Sequence, residues 1–181
     1  MRASNAAVLA LLSTLLFTAC SRDKPAEATP PQAESAPADW PPFPDAFIES
    51  RFKADPSFGV QSGRHEFDGQ MPDWSRAAIE ADITQLRGQL AGLAKFDAAR
   101  LTSAQAFERK YLEWVINTEL FWRAGAESPF RNPAWYIEKL DPSIYLTREY
   151  VPLPTRLKGY LGNARAIPKL AADIRANLRT P

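Results

Sequence analysis

The His65–Glu66 pair is the combination of residue types in this sequence that comes nearest to metal-dependent chemistry. A zinc protease helix places histidines at positions i and i+4, so that both imidazoles face one metal, and a glutamate beside them acts as the base. Here Gly69 stands at the fifth position, and His65 is the only histidine. The flanking Gly63 and Gly69 favour a loop. The sequence therefore predicts no metal site and no catalytic residue at His65.

Glutamates are the other residues that could take part in catalysis. Glu108, Glu113 and Glu119 lie on the flanks of a predicted helix beside arginine and lysine, where glutamates are usually solvated. A glycosidase pair needs only two carboxyl groups that meet in space, so the sequence alone does not exclude one. The sequence contains no phosphate-binding loop, dinucleotide-binding fingerprint or nucleophile elbow. No catalytic residue is assigned.

The single cysteine, Cys20, follows a stretch with the layout of a secretory signal. Arg2 supplies the positive end, and the apolar run over residues 6–17 is shorter than the roughly 20 residues of a membrane-spanning helix. Residues 16–20 resemble a bacterial lipobox, which implies that residues 1–19 are removed and that Cys20 is lipidated. The alternative is an ordinary buried thiol, but nothing apolar follows Cys20 to bury it. More than one acyl chain on Cys20 would anchor the protein stably.

Export and lipidation place the protein in the cell envelope. Ser21 follows Cys20, which favours the periplasmic side of the outer membrane if the host has one. A lipidated Cys20 leaves no thiol for a disulfide or a thiolate metal site. Basic and acidic residues number 22 and 21, so long-range steering is not expected, and nucleic acid is not an expected partner.

The composition divides the rest of the chain into a tether and one domain. Residues 20–44 are rich in Pro, Ala, Glu and Ser, a composition with too little apolar surface to fold, and they predict a disordered tether. Residues 45–181 have the length of a single domain. Within them apolar residues recur at helical spacing, and no stretch alternates as a strand does. The expected fold is an all-α helical bundle.

Four apolar stripes define the expected helices, and the members of each stripe share one face of their helix. They comprise Ile79, Ile83, Leu86, Leu90 and Leu93; Phe107, Tyr111, Trp114, Val115, Thr118, Phe121 and Trp122; Leu153, Leu157, Tyr160 and Leu161; and Ile167, Leu170, Ile174 and Leu178. Local signals add detail. They predict a capping box between Thr102 and Gln105, an ion pair between Glu119 and Arg123, a helix start at Pro152 or Pro154, and a fresh start or kink at Pro168.

Aromatic residues raise the question of a binding wall. Aromatic side chains at helical spacing belong to the core more often than to an aromatic binding cage, so Trp114, Phe121 and Trp122 are predicted to be core. Trp135 and Tyr136 follow Asn132-Pro133 and are equally compatible with the core and with a groove-facing position.

The carboxy-terminal segment is basic. It contains only two acidic residues, Glu149 and Asp173. Its basic residues are Arg148, Arg156, Lys158, Arg165, Lys169, Arg175 and Arg179. Such a pattern usually marks a solvated helix face. A face that awaits the rest of a larger protein is the alternative.

Several motifs in a fixed order carry a family resemblance. They are Asp55-Pro56, Gly63, residues 67–75 (Phe-Asp-Gly-Gln-Met-Pro-Asp-Trp-Ser), residues 132–136 (Asn-Pro-Ala-Trp-Tyr) and the tail over residues 165–181. Together they resemble the amino-terminal part of the bacterial domain-of-unknown-function 885 family, many of whose members are exported lipoproteins. The resemblance implies a longer protein whose later part is similar to zinc metallopeptidases with a His-Glu-x-x-x-Pro-Gly-His helix. That helix is absent from this sequence, so zinc is expected only in a longer protein.

Two hypotheses follow for function. In the first, the chain is the amino-terminal helical part of an exported, lipid-anchored, metallopeptidase-like protein and is inactive alone. This hypothesis predicts exposed apolar surface on the helix from Ile167 to Leu178, where the missing body would pack. In the alternative, it is a complete lipid-anchored binding or scaffolding module of the envelope. The expected partners are the membrane through Cys20 and either a carboxy-terminal body or another envelope protein.

Overall fold

In the computed structural model the chain is described over residues 40–179. The predicted signal peptide, Cys20 and most of the predicted tether lie outside these residues. Over the described range the chain consists of helices and connecting loops, with no strand, which confirms the expected all-α fold.

Helices of very different lengths make up this range. They are α1 (Pro42–Ala54), α2 (Pro56–Gln61), α3 (Arg76–Leu93), α4 (Ser103–Leu120), α5 (Ser128–Arg131), α6 (Ala134–Ile137), α7 (Ile144–Thr147) and α8 (Leu153–Asn177). Short 3-10 turns occur at His65–Phe67, Ala98–Arg100 and Glu138–Leu140, and a π-helical turn, Phe121–Gly125, continues from α4. Among these elements, none has both the length and the apolar character needed to cross a membrane.

Local capping chemistry sets where the longer helices begin. The Ser75 side chain accepts a hydrogen bond from the Ala78 amide at the start of α3, at 3.3 Å. At the start of α4 the Gln105 amide donates to Thr102 Oγ1 at 3.3 Å, and the Thr102 amide donates to Gln105 Oε1 at 3.0 Å. This is the predicted capping box. Each cap satisfies backbone N–H groups that have no partner within the helix.

The α4 capping box gives a first prediction. Thr102→Ala should lower the free energy of unfolding by about 1 kcal/mol, because an amide at the helix start loses its acceptor. Urea denaturation measures the change. Ser103→Ala, at the exposed neighbouring position, is the matched control and should change stability little. Equal losses in the two variants would contradict the role of the cap.

The main core joins α1, α3 and α4. Its buried members are Trp40, Phe47, Leu86, Leu93, Leu101, Leu112 and Ile116. The stripe predicted on α3 is confirmed, since four of its members are buried and Leu90 packs partly buried against the same cluster. Apolar burial of this kind is the main favourable term in folding.

The folded part begins earlier than the boundary expected at residue 45. Trp40 is only 1% exposed, and its Nε1 donates to Glu108 Oε2 at 3.0 Å. α1 begins at Pro42, within the segment expected to be tether. Its proline content indicated disorder, but proline also suits the first turn of a helix, and the neighbouring aromatic rings pack in the core.

Trp114, Phe121 and Trp122 are exposed, which corrects the prediction that they are core. On α4 the buried residues are Leu112 and Ile116, and the aromatic stripe faces outward. On α8 the row Leu153, Leu157 and Leu161 is exposed. Periodicity shows which residues share a helix face, but a helix with two apolar faces leaves open which of them packs inward.

The inward side of α8 is built from a different set of residues. Arg156, Gly159, Asn163, Leu170 and Asn177 are buried, Tyr160, Ile174 and Leu178 are half-buried, and Ile167 is exposed. Pro154 lies in the first turn as predicted. Pro168 is inside a continuous helix, so the expectation of a fresh start there is wrong.

Glycines bring one loop into direct backbone contact with α8. Gly69 has φ +76°, a conformation that favours glycine, and a Cβ added to Gly162 would lie 2.8 Å from the Gly69 carbonyl oxygen. The Gly69 amide donates to Tyr145 Oη at 2.8 Å. These contacts fix the loop before α3 against α7 and α8.

Candidate functional site

A charged cavity of about 220 Å³ lies among α1, α3, α6, the π-helical turn and the loop before α3. Its polar and aromatic lining includes Asp55, Asp73, Asp82, Arg123, Trp135 and Lys139. The walls of the cavity therefore come from segments spread over most of the described chain. Ion pairs made by Asp82 and Asp55 hold those segments together.

Asp82, on α3, is the centre of the ion-pair network on the cavity wall. Arg51 binds both carboxylate oxygens, with Nη1–Oδ1 at 2.8 Å and Nη2–Oδ2 at 3.1 Å. Arg123 Nε lies 2.9 Å from Asp82 Oδ2, and Arg123 also forms the predicted ion pair with Glu119. Arg51 and Arg123 are 7% and 9% exposed. The network compensates two guanidinium groups that are almost removed from water.

Burial has a measurable consequence for Arg123. It lowers the pKa of the guanidinium, and the Asp82 carboxylate opposes that change. An arginine guanidinium nevertheless remains protonated in proteins. Arg123 therefore serves as a fixed positive charge rather than as an acid or a base.

A second ion pair, between Asp55 and Lys139, closes another side of the cavity. The Trp135 ring contacts both cationic residues, since its centroid lies 5.7 Å from the Arg123 guanidinium carbon and 5.9 Å from Lys139 Nζ. Such distances allow cation–π attraction. The cavity thus presents paired charges around the Trp135 indole ring. These charges can hold a bound group in position, but they do not supply a nucleophile.

Trp135 and Tyr136 occupy different environments. Trp135 is half-buried and lines the cavity. Tyr136 is 1% exposed; its hydroxyl donates to the Pro129 carbonyl at 2.6 Å and accepts from Asn177 Nδ2 at 3.3 Å. Burial raises the pKa of Tyr136. Tyr136 is therefore a core residue and not groove-facing, because the helical turn of α6 directs adjacent side chains to different sides.

His65 begins the 3-10 turn His65–Phe67 and contacts Tyr150 and Asp68. Its ring stacks on Tyr150 with centroids 3.6 Å apart, and its Nδ1 lies 3.2 Å from Asp68 Oδ1. The Tyr150 hydroxyl donates to the same carboxylate at 2.8 Å. Burial, followed by the hydrogen bond to Asp68, raises the pKa of Tyr150.

The described residues do not assemble a metal-ligand set. Over residues 40–179 no three His, Cys, Asp or Glu side chains converge as ligands. A catalytic zinc normally takes three protein ligands. The residues present in this part of the chain therefore do not fit the zinc site that the family resemblance implies for a longer protein.

An aromatic face runs along α4 and into the π-helical turn. Its members and their exposed fractions are Phe107 73%, Tyr111 55%, Trp114 61%, Phe121 58% and Trp122 51%. π-helical turns are rare and often occur at functional sites. Here the turn contains the exposed Phe121 and Trp122 and also the buried Arg123, so it joins the aromatic face to the charged cavity.

A second exposed apolar surface, the α8 row, consists of Leu153, Leu157, Leu161 and Ile167, which are 36–48% exposed. The row is aliphatic, and lysines and arginines of the same helix are exposed beside it. The two surfaces therefore differ in chemistry.

Arg51 and Asp82 were not predicted from the sequence, although the sequence contains one signal for Asp82. Asp82 lies between Ile79 and Ile83 within the apolar stripe of α3. A carboxylate at such a position needs a buried cation as partner. Nothing local identifies Arg51, because its partner is 31 residues away in sequence.

Comparisons with known proteins place this geometry in context. The family described as "Bacterial protein of unknown function (DUF885)" matches residues 56–181. A solved structure described as a "putative lipoprotein of unknown function" from Shewanella oneidensis is similar, with a TM-score of 0.70 and 22% sequence identity. The similarity covers 80% of this chain but 27% of that chain. A search of the curated proteins finds no significant match.

Proposed function

Because the chain belongs to the bacterial family of unknown function DUF885, we propose that residues 40–179 are the amino-terminal helical part of a longer exported protein. In this proposal Cys20 carries the lipid anchor, the protein resides in the cell envelope on the periplasmic side, and the remaining body is metallopeptidase-like. The helical part is inactive alone.

The aromatic face on α4 is the observation that carries the proposal. All five side chains are more than half exposed, and soluble monomers rarely leave large contiguous apolar patches uncovered. The aliphatic side of α4, with Leu112 and Ile116, already packs in the core, so the aromatic side is available for another partner. The similar structure supplies a precedent, because the shared fold is 27% of its chain. We therefore assign the aromatic face to contact with a carboxy-terminal body.

The same division explains the chemistry of the cavity. Asp55, Asp82 and Glu119 each have a cationic partner, so this part of the chain contributes fixed charge and shape. The zinc ligands and the catalytic base belong to the body in this proposal. The helical part then serves as a wall that the body packs against.

Lipid anchoring is supported by two observations. Residues 16–20 resemble a lipobox, and the similar Shewanella oneidensis structure is described as that of a "putative lipoprotein". An anchor of two or more acyl chains holds a protein stably on a bilayer. Mass spectrometry of the chain recovered from membranes tests this step directly, through the added lipid on Cys20.

Dye binding tests the aromatic face. The chain should bind 1-anilinonaphthalene-8-sulfonate, because the dye binds exposed apolar patches. Trp114→Gln with Trp122→Gln should lower the dye fluorescence, and the exposed α8 row accounts for the signal that remains. Ile137→Gln is the matched control: Ile137 is 64% exposed but lies outside the face. A monomeric, cooperatively unfolding chain that binds no dye would contradict the proposal.

The alternative of a complete envelope-binding module has one observation in its favour. Residues 40–179 contain a core of their own, built around Trp40, Leu86 and Ile116. A complete module should be a stable monomer that recovers a specific envelope partner from its host, and the helical part of a longer protein should recover none. Partner capture by the chain, with Trp114→Gln and Trp122→Gln as the test of the aromatic face, therefore separates the two functions.

A further inference from the structure

α8 combines an aliphatic row with a concentration of positive charge. Its sequence holds five basic residues and one acidic residue, whereas the whole chain has a net charge of +1. Leu153, Leu157 and Leu161 follow at four-residue spacing and are exposed. Apolar residues on one side with lysine and arginine beside them are typical of helices that lie in a membrane interface.

The basic residues of α8 have different roles. Arg156 is buried and donates to the carbonyls of Val151 and Tyr145, so it fixes the start of the helix. Lys169 pairs with Asp73 and Asp173.

The remaining cations of α8 face solvent. Lys158, Arg165 and Arg175 are exposed, and within residues 40–179 they form no ion pair. The surface they share with the α8 row therefore has uncompensated positive charge. An anionic surface is its electrostatic complement.

We propose that the exposed side of α8 lies on an anionic lipid surface, the bilayer to which Cys20 anchors the protein; this contact rests on the proposed lipid anchor. Leu153, Leu157 and Leu161 enter the headgroup region, while Lys158 and Arg165 reach anionic headgroups. The long stems of lysine and arginine allow their charges to stay at the headgroups while their methylenes cover apolar surface.

The distribution of charged residues favours α8 over the aromatic face as the surface that contacts anionic lipid. On α4 Glu113 pairs with Arg109, and the exposed Glu108 and Lys110 offset each other, so the aromatic face has no excess positive charge to attract anionic headgroups. On α8 the one acidic residue, Asp173, is already paired with Lys169. The two apolar surfaces thus face two partners, the body at α4 and the bilayer at α8.

Site-specific labels test the contact in the lipidated full chain. Lipidation occupies the only native cysteine, so Leu157→Cys or Tyr111→Cys introduces a single labelling site on the α8 row or on the aromatic face. Each variant carries bimane and is reconstituted in phosphatidylethanolamine–phosphatidylglycerol vesicles that contain brominated lipid. The label at position 157 should be strongly quenched by the lipid, and the label at position 111 should not.

Charge variants and a second vesicle composition complete the test. Lys158→Gln and Arg165→Gln should each weaken the contact about five-fold, and phosphatidylcholine vesicles should largely abolish it. Equal quenching of the two labels, or equal quenching in neutral vesicles, would overturn the proposal. A label at position 157 shielded from aqueous iodide but untouched by brominated lipid would show a protein occupant instead.

Failure of the anchor is detected separately in the same preparation. The mass of the chain reports the lipid on Cys20 whether or not α8 touches the bilayer. If that lipid is absent, Cys20→Ser keeps the introduced cysteine as the single labelling site. The chain is then added to the same vesicles at higher lipid concentration, where quenching at position 157 above that at position 111 still supports the contact. Equal quenching of the labels at positions 157 and 111 under those conditions overturns the proposed contact of α8 with the bilayer.

Discussion

Asp82→Ala is expected to lower the free energy of unfolding by about 3–5 kcal/mol, because the change leaves the buried Arg51 and Arg123 without their shared carboxylate. Removing one partner of a buried ion pair strands a charge that water no longer solvates. Chemical denaturation followed by circular dichroism measures the loss. A fraction of the Asp82→Ala variant should already be unfolded without denaturant, since small domains are stabilised by only about 5–15 kcal/mol.

A surface pair supplies the control for Asp82. Asp73 also pairs with a cation, Lys169, but both side chains are more than half exposed. Asp73→Ala should therefore change stability by about 1 kcal/mol or less. If Asp82→Ala were no more destabilising than Asp73→Ala, the network around Asp82 would not be the link between α1, α3 and the π-helical turn.

Gly162→Ala should be the second strongly destabilising substitution. The added Cβ would lie 2.8 Å from the carbonyl oxygen and 2.9 Å from the Cα of Gly69, and both are backbone atoms that move only with their loop. Overpacking of this kind typically costs about 1–3 kcal/mol. Thermal and urea denaturation measure the change, and greater proteolysis in the loop around Gly69 should accompany it.

Gly88→Ala is the matched control on a helix. A Cβ at Gly88 meets no atom within 4 Å, and the position is exposed on α3. Alanine is the better helix former there, so this variant should gain about 1 kcal/mol. A gain in both variants would show that α8 and the Gly69 loop are not in contact.

The sequence predicted the elements of this fold where the signal is local. The stripe from Ile79 to Leu93, the Thr102–Gln105 cap and the Glu119–Arg123 pair each depend on residues within one helix. Their physics is short-range, so spacing alone identifies them.

Orientation was the part that the sequence did not determine. On α4 both an aromatic and an aliphatic side have helical spacing, and large aromatic residues are usually buried. Packing against α3 selects Leu112 and Ile116 instead. The cavity was likewise hidden, because pairs such as Asp55 and Lys139 are 84 residues apart and local patterns do not reveal them. Trp135 could be placed near a groove or in the core, and only the fold distinguishes it from Tyr136.

The central claim is that the aromatic face is covered by the rest of a longer family protein. The gene is sequenced beyond the codon for Pro181. Acrylamide quenching of Trp114 and Trp122 is then compared between the present chain and the protein that the gene encodes. Trp114→Phe with Trp122→Phe removes their signal and isolates it from the other tryptophans. The account predicts an open frame and tryptophans that are exposed in the present chain but shielded in the longer protein. A stop codon after Pro181, or equal quenching in both proteins, would contradict it.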